Sequence, residues 1–385
     1  MGRVTLIAGH AQSLVNFRGP LIEALLAEGH DVFAIGPDAD RATLDWLSAR
    51  RVGYHTVPIS RASLDPVRDA STFWAIRSAL SSIRPQVVIA YTVKAVIYGL
   101  LAARQVGVAR RFAMITGLGY AFTDGVPSAK RYLVGGIVRT LYRFSLRSAE
   151  AVIFQNPDDL AVFKTLRLID PRSRTGIVNG SGVDTEHFGP VPLPPDPACL
   201  MISRLVADKG VGEYLAAARI VKAARPHVTF RLVGPPDPNP AALPPAVLES
   251  AISDGVVEYL GEMQDVRPTI ADTNIYVLPS YREGTPRSVL EAMSMGRPVI
   301  TTDAPGCRET VEADVNGFLV PVKTTSELAE AILQMVDNSD LRQQMGDAGR
   351  ARAVSRYSAK AVAQSAIDLL ALRTRNSSID AADVT

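Results

Sequence analysis

Cysteine is nearly missing from this chain: Cys199 and Cys307 are the only two in 385 residues, and neither has a CxxC partner or histidine-rich company. That excludes a disulfide framework, offers no zinc-ligand spacing, and points to a reducing, cytoplasmic setting. Long apolar runs are missing as well, and no window approaches the roughly 20 charge-free residues of a membrane-spanning helix. The apolar start, Met1 to Leu14, is broken by His10 and Gln12 and has no small-residue cleavage pattern, so no signal peptide is expected. Leu6 stands where a myristoylation signal beginning at Gly2 needs Ser or Thr. There is no excess of one charge; the formal net of +2 gives no support for nucleic acid or a strongly acidic partner. The first apolar run also lacks GxGxxG, since Ala8-Gly9-His10-Ala11 holds one glycine, which argues against a nicotinamide dehydrogenase.

What is present is a globular composition, 47% hydrophobic and 21% charged, in a chain long enough for two domains of middle size. Short apolar runs alternate with longer amphipathic ones: Val4 to Ala8, Val32 to Gly36, Val87 to Ala90, Phe112 to Thr116 and Ala151 to Phe154. Such alternation implies a parallel sheet covered by helices. Leu21, Ile22, Leu25 and Leu26 recur at helical spacing before Gly29, marking one of those helices. A proline-dense stretch, His187 to Cys199, disfavours both helix and central strand and reads as a linker. The alternation then restarts at Leu200 to Ser203, Phe230 to Val233, Val256 to Leu260, Ile275 to Leu278, Val299 to Thr302 and Phe318 to Val320. The expected organisation is a first domain over 1–186, a linker over 187–198 and a second doubly wound domain over 199–357. A C-terminal helix over 358–373, crossing back to the first domain, and a flexible polar tail over 374–385 complete it.

The most informative stretch is LPSYREGTPRSVLEAMSMGRPV, Leu278 to Val299. It reads as a strand, a loop over Pro279 to Gly284, and a helix with Thr285 as N-cap and Pro286 at its first position, ended by Gly296 and Pro298. The helix therefore starts at the C-terminal edge of its sheet, where open α/β sheets bind ligands and free N–H groups attract phosphate. Glu283 precedes the helix and Glu291 lies on it, roughly 9 Å along the axis from its start at about 1.5 Å per residue. The pair is spaced to grip hydroxyls on either side of a diphosphate; two solvated helix-end acids are the other reading. A second strand end, at Met201 to Ser203, is followed by Arg204, Asp208, Lys209 and Gly210. Arg204 and Lys209 suit a diphosphate, one as a bidentate fork and one as a point charge, or form a solvated loop with Asp208.

With Asn179-Gly180, Val183-Asp184, Arg204, Lys209, Glu283-Gly284 and Glu291-Ala292-Met293, the chain resembles the retaining GT-B glycosyltransferases that carry a Glu-x7-Glu motif. The likeness covers essentially the whole length and implies two Rossmann-like α/β domains facing a cleft. It implies that the second domain holds the nucleotide sugar and that transfer retains anomeric configuration without a bound metal or other cofactor. Arg204 and Lys209 would then bind the diphosphate, Glu283 the donor sugar and Glu291 the ribose, with Gly284, Thr285, Pro286 and Arg287 contacting sugar and phosphate. SYREGTPRSVLEAM, Ser280 to Met293, and PGCRE, Pro305 to Glu309, are similar to bacterial enzymes that extend lipid-linked saccharides from UDP-sugars.

The first half departs from that pattern. Tyr91-Thr92-Val93-Lys94 stands at the strand end where many relatives place a histidine, so Lys94 is either a cation on the acceptor side or an exposed lysine at a helix start. His10, beside Gly9, is placed to approach the donor phosphates, or is a structural histidine. Thr116, Gly117, Gly119 and Tyr120 sit in TGLGYAF after another strand, forming either an acceptor edge or a glycine turn with packed rings. Lys130, Arg131, Arg139, Arg143 and Arg147 fall in a stretch without acids between Asp124 and Glu150. That basic amphipathic run suits an anionic membrane surface or a lipid diphosphate acceptor at the inner face of the membrane; a solvated basic face is the rival reading. Asp38-Ala39-Asp40 spells the DxD of metal-dependent transferases of another fold, but before Arg41 to Leu47 it reads as a helix-capping turn. A nucleotide-sugar epimerase of the same architecture and a non-catalytic nucleotide-sugar binding protein are the competing functions.

Overall fold

The computed structural model describes residues 2–60, 65–118, 129–237 and 241–373, without the side chains of 129–134. Gly119, Tyr120, the side chains of Lys130 and Arg131, and the tail expected over 374–385 lie outside the described residues. Two compact units divide the chain, one of Met1–Ser181 with Val362–Thr385 and one of Gly182–Ala361.

The first unit is a parallel sheet of β1 (Arg3–Ile7), β2 (Asp31–Gly36), β3 (Gly53–Thr56), β4 (Val87–Tyr91), β5 (Arg110–Ile115), β6 (Ala151–Phe154) and β7 (Arg174–Ile177). Their order is β3-β2-β1-β4-β5-β6-β7. Side chains alternate between its faces as strand geometry requires: Ile7, Val88 and Ala90 pack with one buried cluster, Leu6, Val87 and Ile89 with the other. Helices Pro66–Ile83, Val93–Gln105 and Pro157–Thr165 cover the former face. Helix Gly19–Ala27 and the last helix, Ala359–Leu370, cover the latter through Leu21, Ile22, Leu25, Val362, Ala366, Ile367 and Leu370. Arg110 fastens the end of that last helix, donating to the Leu370 and Ala371 carbonyls at 2.7 and 3.0 Å while pairing with Glu150. Arg174 donates to the Leu369 carbonyl at 2.8 Å.

The second unit repeats the plan with β8 (Ala198–Ile202), β9 (Thr229–Val233), β10 (Glu258–Tyr259), β11 (Ile275–Leu278), β12 (Val299–Thr302) and β13 (Gly317–Val320). The order is β10-β9-β8-β11-β12-β13, with one continuous buried core against the helices. In each unit the strand order reverses once, beside β1 and β4 in the first and beside β8 and β11 in the second. These switch points open a crevice outside the strands' C-terminal ends.

The proline-dense segment does not separate the units. The chain passes between them at Ser181–Gly182, before that segment, and again at Ala361–Val362. Residues 187–198 are clamped onto the second unit instead, because proline removes N–H donors but leaves carbonyls to be bound. Arg297, fully buried, donates to the Val191 carbonyl at 2.9 Å, and Asn274 donates to the carbonyls of Pro194 and Asp196 at 3.1 and 3.0 Å. At the actual crossing Gly182 has φ +71°, and a Cβ there would lie 2.6 Å from the Ala359 Cα.

Candidate active site

The second unit's switch point brings the sequence-predicted residues of that half together. After β8 the chain runs through Ser203 and Arg204 into a short 3-10 turn, Ala207–Lys209, ended by left-handed Gly210. A Cβ on Gly210 would meet the Pro279 carbonyl oxygen at 2.2 Å, so only glycine lets this corner close on the loop that follows β11. The Tyr281 N–H donates to the Asp208 carbonyl at 2.8 Å, stitching the two loops. A third loop supports them: the Glu283 N–H donates to the Pro305 carbonyl at 2.8 Å, and Gly306 (φ +82°) packs on the Glu283 carbonyl too closely for any side chain.

In this frame the Lys209 ammonium donates to Glu283 Oε1 at 2.5 Å, and Ser280 Oγ donates to the same oxygen at 2.8 Å. The lysine and glutamate side chains are 17% and 14% exposed, partly withdrawn from water but still accessible to a ligand. Arg204 lies on the neighbouring loop, paired with Asp237 at 2.5 Å. Asp237 follows β9 on a loop whose Gly234 (φ +142°) packs directly on Ser203.

The helix expected after Glu283 spans Arg287–Ser294, with Pro286 as its N-cap and no side-chain cap. The N-cap position therefore falls on Pro286, one residue later than the sequence suggested. Arg287 reaches one turn along to Glu291, Nε to Oε1 2.7 Å. Burial raises the Glu291 pKa above its ordinary value, and the Arg287 charge offsets part of that rise. The buried Tyr276 hydroxyl donates to the Ile202 carbonyl; burial raises its pKa, and the Glu291 and Glu283 charges add to the rise. Three cations, Arg204, Lys209 and Arg287, thus stand at one sheet edge, each with its own carboxylate.

In the first unit Gly9 follows β1 and approaches Thr92 so closely that a Cβ would lie 2.4 Å from Thr92 Oγ1. Thr92, ending β4, has φ +72°, a strained value for a β-branched residue, and its buried hydroxyl has no hydrogen-bond partner. His10 offers its carbonyl to Ser13 Oγ at 2.5 Å. Lys94 is not an exposed lysine: its ammonium is 2.5 Å from Asp69, which also accepts from Tyr98 at 2.9 Å. Thr116 and Gly117 follow β5, and Gly117 takes φ +137°. Asp40 caps the helix Arg41–Ala49 by accepting from the Thr43 N–H at 2.8 Å, the use expected of the Asp38-Ala39-Asp40 turn.

In the basic helix, Ala129–Leu146, Arg143 donates to the Arg167 and Leu166 carbonyls at 3.0 and 3.1 Å and so finishes the helix Pro157–Thr165. Arg143 stays exposed while it makes these bonds. Arg147 stacks 5.5 Å from the Phe144 ring centre, and Ile137 and Phe144 are exposed. Among the described residues no helix is long and apolar enough to cross a membrane. Sequence reasoning did not single out Asp237 as the partner of Arg204 or Ser280 as a partner of Glu283; a proline-flanked acid after β9 was the available signal for the first.

Two family models match the chain in tandem: a glycosyl transferase 4-like domain over residues 17–180 and glycosyl transferases group 1 over 196–338. With the paired Rossmann-like sheets, they make this chain a glycosyltransferase of the GT-B type, group 1. Its similarity to a bacterial transferase is substantial: 29% identity over 88% of this chain and 91% of the N,N'-diacetylbacillosaminyl-diphospho-undecaprenol alpha-1,3-N-acetylgalactosaminyltransferase of Campylobacter jejuni. Among solved structures, the sucrose-phosphate synthase of Thermosynechococcus elongatus superposes with a TM-score of 0.79 at 20% identity, covering 96% of this chain and 98% of that one. Anabaena HepE in complex with UDP gives 0.72 at 19%, covering 96% and 100%. These two likenesses concern the fold.

Proposed function

We propose that the chain is a retaining hexosyltransferase that moves a hexose or N-acetylhexosamine from a UDP-sugar to a saccharide carried on a lipid diphosphate, in bacterial polysaccharide or glycan assembly. The observation that carries this reading is the convergence of Arg204, Lys209, Glu283 and the start of helix Arg287–Ser294 at the β8/β11 switch point. The Campylobacter relative, named for a diphospho-undecaprenol acceptor and an N-acetylgalactosaminyl group, supports the acceptor class and the sugar class.

The chemistry follows from charge. Breaking the bond between the anomeric carbon and the diphosphate oxygen leaves negative charge on the departing nucleotide. Arg204 and Lys209 neutralise that charge as it grows, and the helix N–H groups add a fixed positive potential. In this reading no metal ion or other cofactor is needed. Glu291 accepts hydrogen bonds from the ribose hydroxyls and Glu283 orients the sugar, assisted by Gly284 to Arg287. The first unit takes the acceptor, with Lys94 and the Thr116–Gly117 turn on the acceptor side. Exposed Arg139, Arg143 and Arg147, beside exposed Ile137 and Phe144, give the first unit a face suited to the anionic inner surface of the membrane. Flotation with anionic vesicles is expected to carry the protein, and no binding at low salt removes that part of the reading.

Mass spectrometry of products from a panel of UDP-sugars and lipid diphosphate saccharides tests the whole proposal. The expected result is a saccharide longer by one sugar, retained α configuration by NMR, and unchanged turnover in EDTA. Sugar epimerised by donor alone, or tight donor binding with no transfer to any lipid-linked acceptor, overturns it.

A further inference from the structure

Arg18, at the start of helix Gly19–Ala27, is 4% exposed, yet among the described residues no carboxylate pairs with it. Its Nη1 donates to the carbonyl of the preceding residue, Phe17, at 3.2 Å, and its buried Nε has no partner. The guanidinium lies 4.9 Å over the ring of Tyr91, itself 2% exposed and held by Ser13 at 3.0 Å. The terminal nitrogens of the other deeply buried arginines are satisfied differently: Arg297, whose Nε is likewise without a partner, donates through Nη to the Val191 and Pro192 carbonyls, and Arg342 donates to those of Met335 and Val336 at 2.6 and 2.8 Å. Those two tie chain segments together; Arg18 ties none. A guanidinium withdrawn from water without a counter-charge destabilises the fold unless an anion completes it. Burial pushes its pKa down, although Tyr91 favours the charged form.

Arg18 also lines a depression of about 10 Å³ with Met114, Gly180, Ser181 and Val362, at the C-terminal edge of the first unit's sheet. That space admits one atom of the size of a water oxygen and no sugar ring.

We propose that Arg18 seats one phosphoryl oxygen of a diphosphate substrate, a second anion site separate from the Arg204 and Lys209 corner. This rests on the diphosphate chemistry proposed above. The diphosphate is that of the UDP-sugar or that of the lipid-linked acceptor, and the test separates them. UDP and a short-chain prenyl diphosphate are titrated calorimetrically into wild type, R18M and R18K, with thermal unfolding of each. R18M is expected to unfold at or above the wild-type temperature, because an uncompensated charge has been removed, and to bind one of the two diphosphates at least tenfold more weakly. Selective loss toward UDP assigns the donor; selective loss toward the prenyl diphosphate assigns the acceptor. R18K, a point charge without the planar fork, is expected to lose at least threefold for the same ligand and carries the test should R18M not fold. Unchanged affinity for both ligands in the folded variants overturns the Arg18 site alone. Wild type that binds neither ligand overturns the diphosphate reading as well.

Discussion

Replacing Lys209 by methionine separates what this lysine does for the fold from what it does for catalysis. Its ammonium and Glu283 are 2.5 Å apart, with side chains 17% and 14% exposed. Breaking a fully buried pair by removing one partner costs about 3–5 kcal/mol. Here the partial exposure lets water reach Glu283, and Ser280 still donates to it, so K209M is expected to lose about 2 kcal/mol. For a unit of this size that lowers the unfolding midpoint by roughly 4–8 °C. The double variant K209M/E283Q leaves no orphaned charge and should recover most of that loss in differential scanning fluorimetry. Turnover should not recover: a missing fixed cation opposite the leaving diphosphate costs about 10²–10³ in kcat, in both variants, at saturating donor. K209M with wild-type turnover would remove Lys209 from the site. A double variant no more stable than K209M would show that the orphaned Glu283 charge is not what destabilises K209M.

Two further outcomes follow from the ion pairs at this edge. Asp237 holds Arg204 at 2.5 Å and competes with any phosphate for it, so D237N should tighten UDP about two- to tenfold by calorimetry, with R204A/D237N no tighter than R204A; equal or weaker binding by D237N refutes the competition. Glu291 has its pKa raised above 4.5, first by burial, so UDP affinity is expected to begin falling, as pH drops, at a pH above that value, and E291Q should flatten the profile. The sign for stability is the reverse of an ordinary paired carboxylate: keeping Glu291 charged costs stability as pH rises through its folded pKa, so E291Q should be neutral or stabilising at pH 7 and lose that advantage below pH 4.5. A UDP profile in E291Q that matches wild type would refute the assignment.

The strands legible in sequence were those written as continuous apolar runs: central ones buried on both faces, such as Ala151–Phe154 and Ile275–Leu278, and the second unit's edge strands within Val256 to Leu260 and at Phe318 to Val320. The first unit's edge strands, Gly53–Thr56 and Arg174–Ile177, escaped notice because GYHT and RTGI, partly exposed, carry no such run. The proline segment was misread as the boundary for a related reason: proline marks where hydrogen-bonded strand stops, not what binds the carbonyls it leaves, and Arg297 lies 105 residues from Pro192. That Arg143 also binds the end of a neighbouring helix was not legible either, because charge periodicity does not reveal which helix end lies beside it.

Local spacing by itself determined the alternating βα plan of both units, the loops at the strand ends, and the placing of Glu283 before and Glu291 on one helix. Only the tertiary structure decided that Lys209 meets Glu283 across 74 residues, that Arg204 turns to Asp237, and that Arg18 is buried without a counter-charge. Secondary structure depends on neighbours a few residues away and so is written along the chain. Electrostatic pairing depends on distance through space, which is set only when the β8, β9 and β11 loops pack against one another.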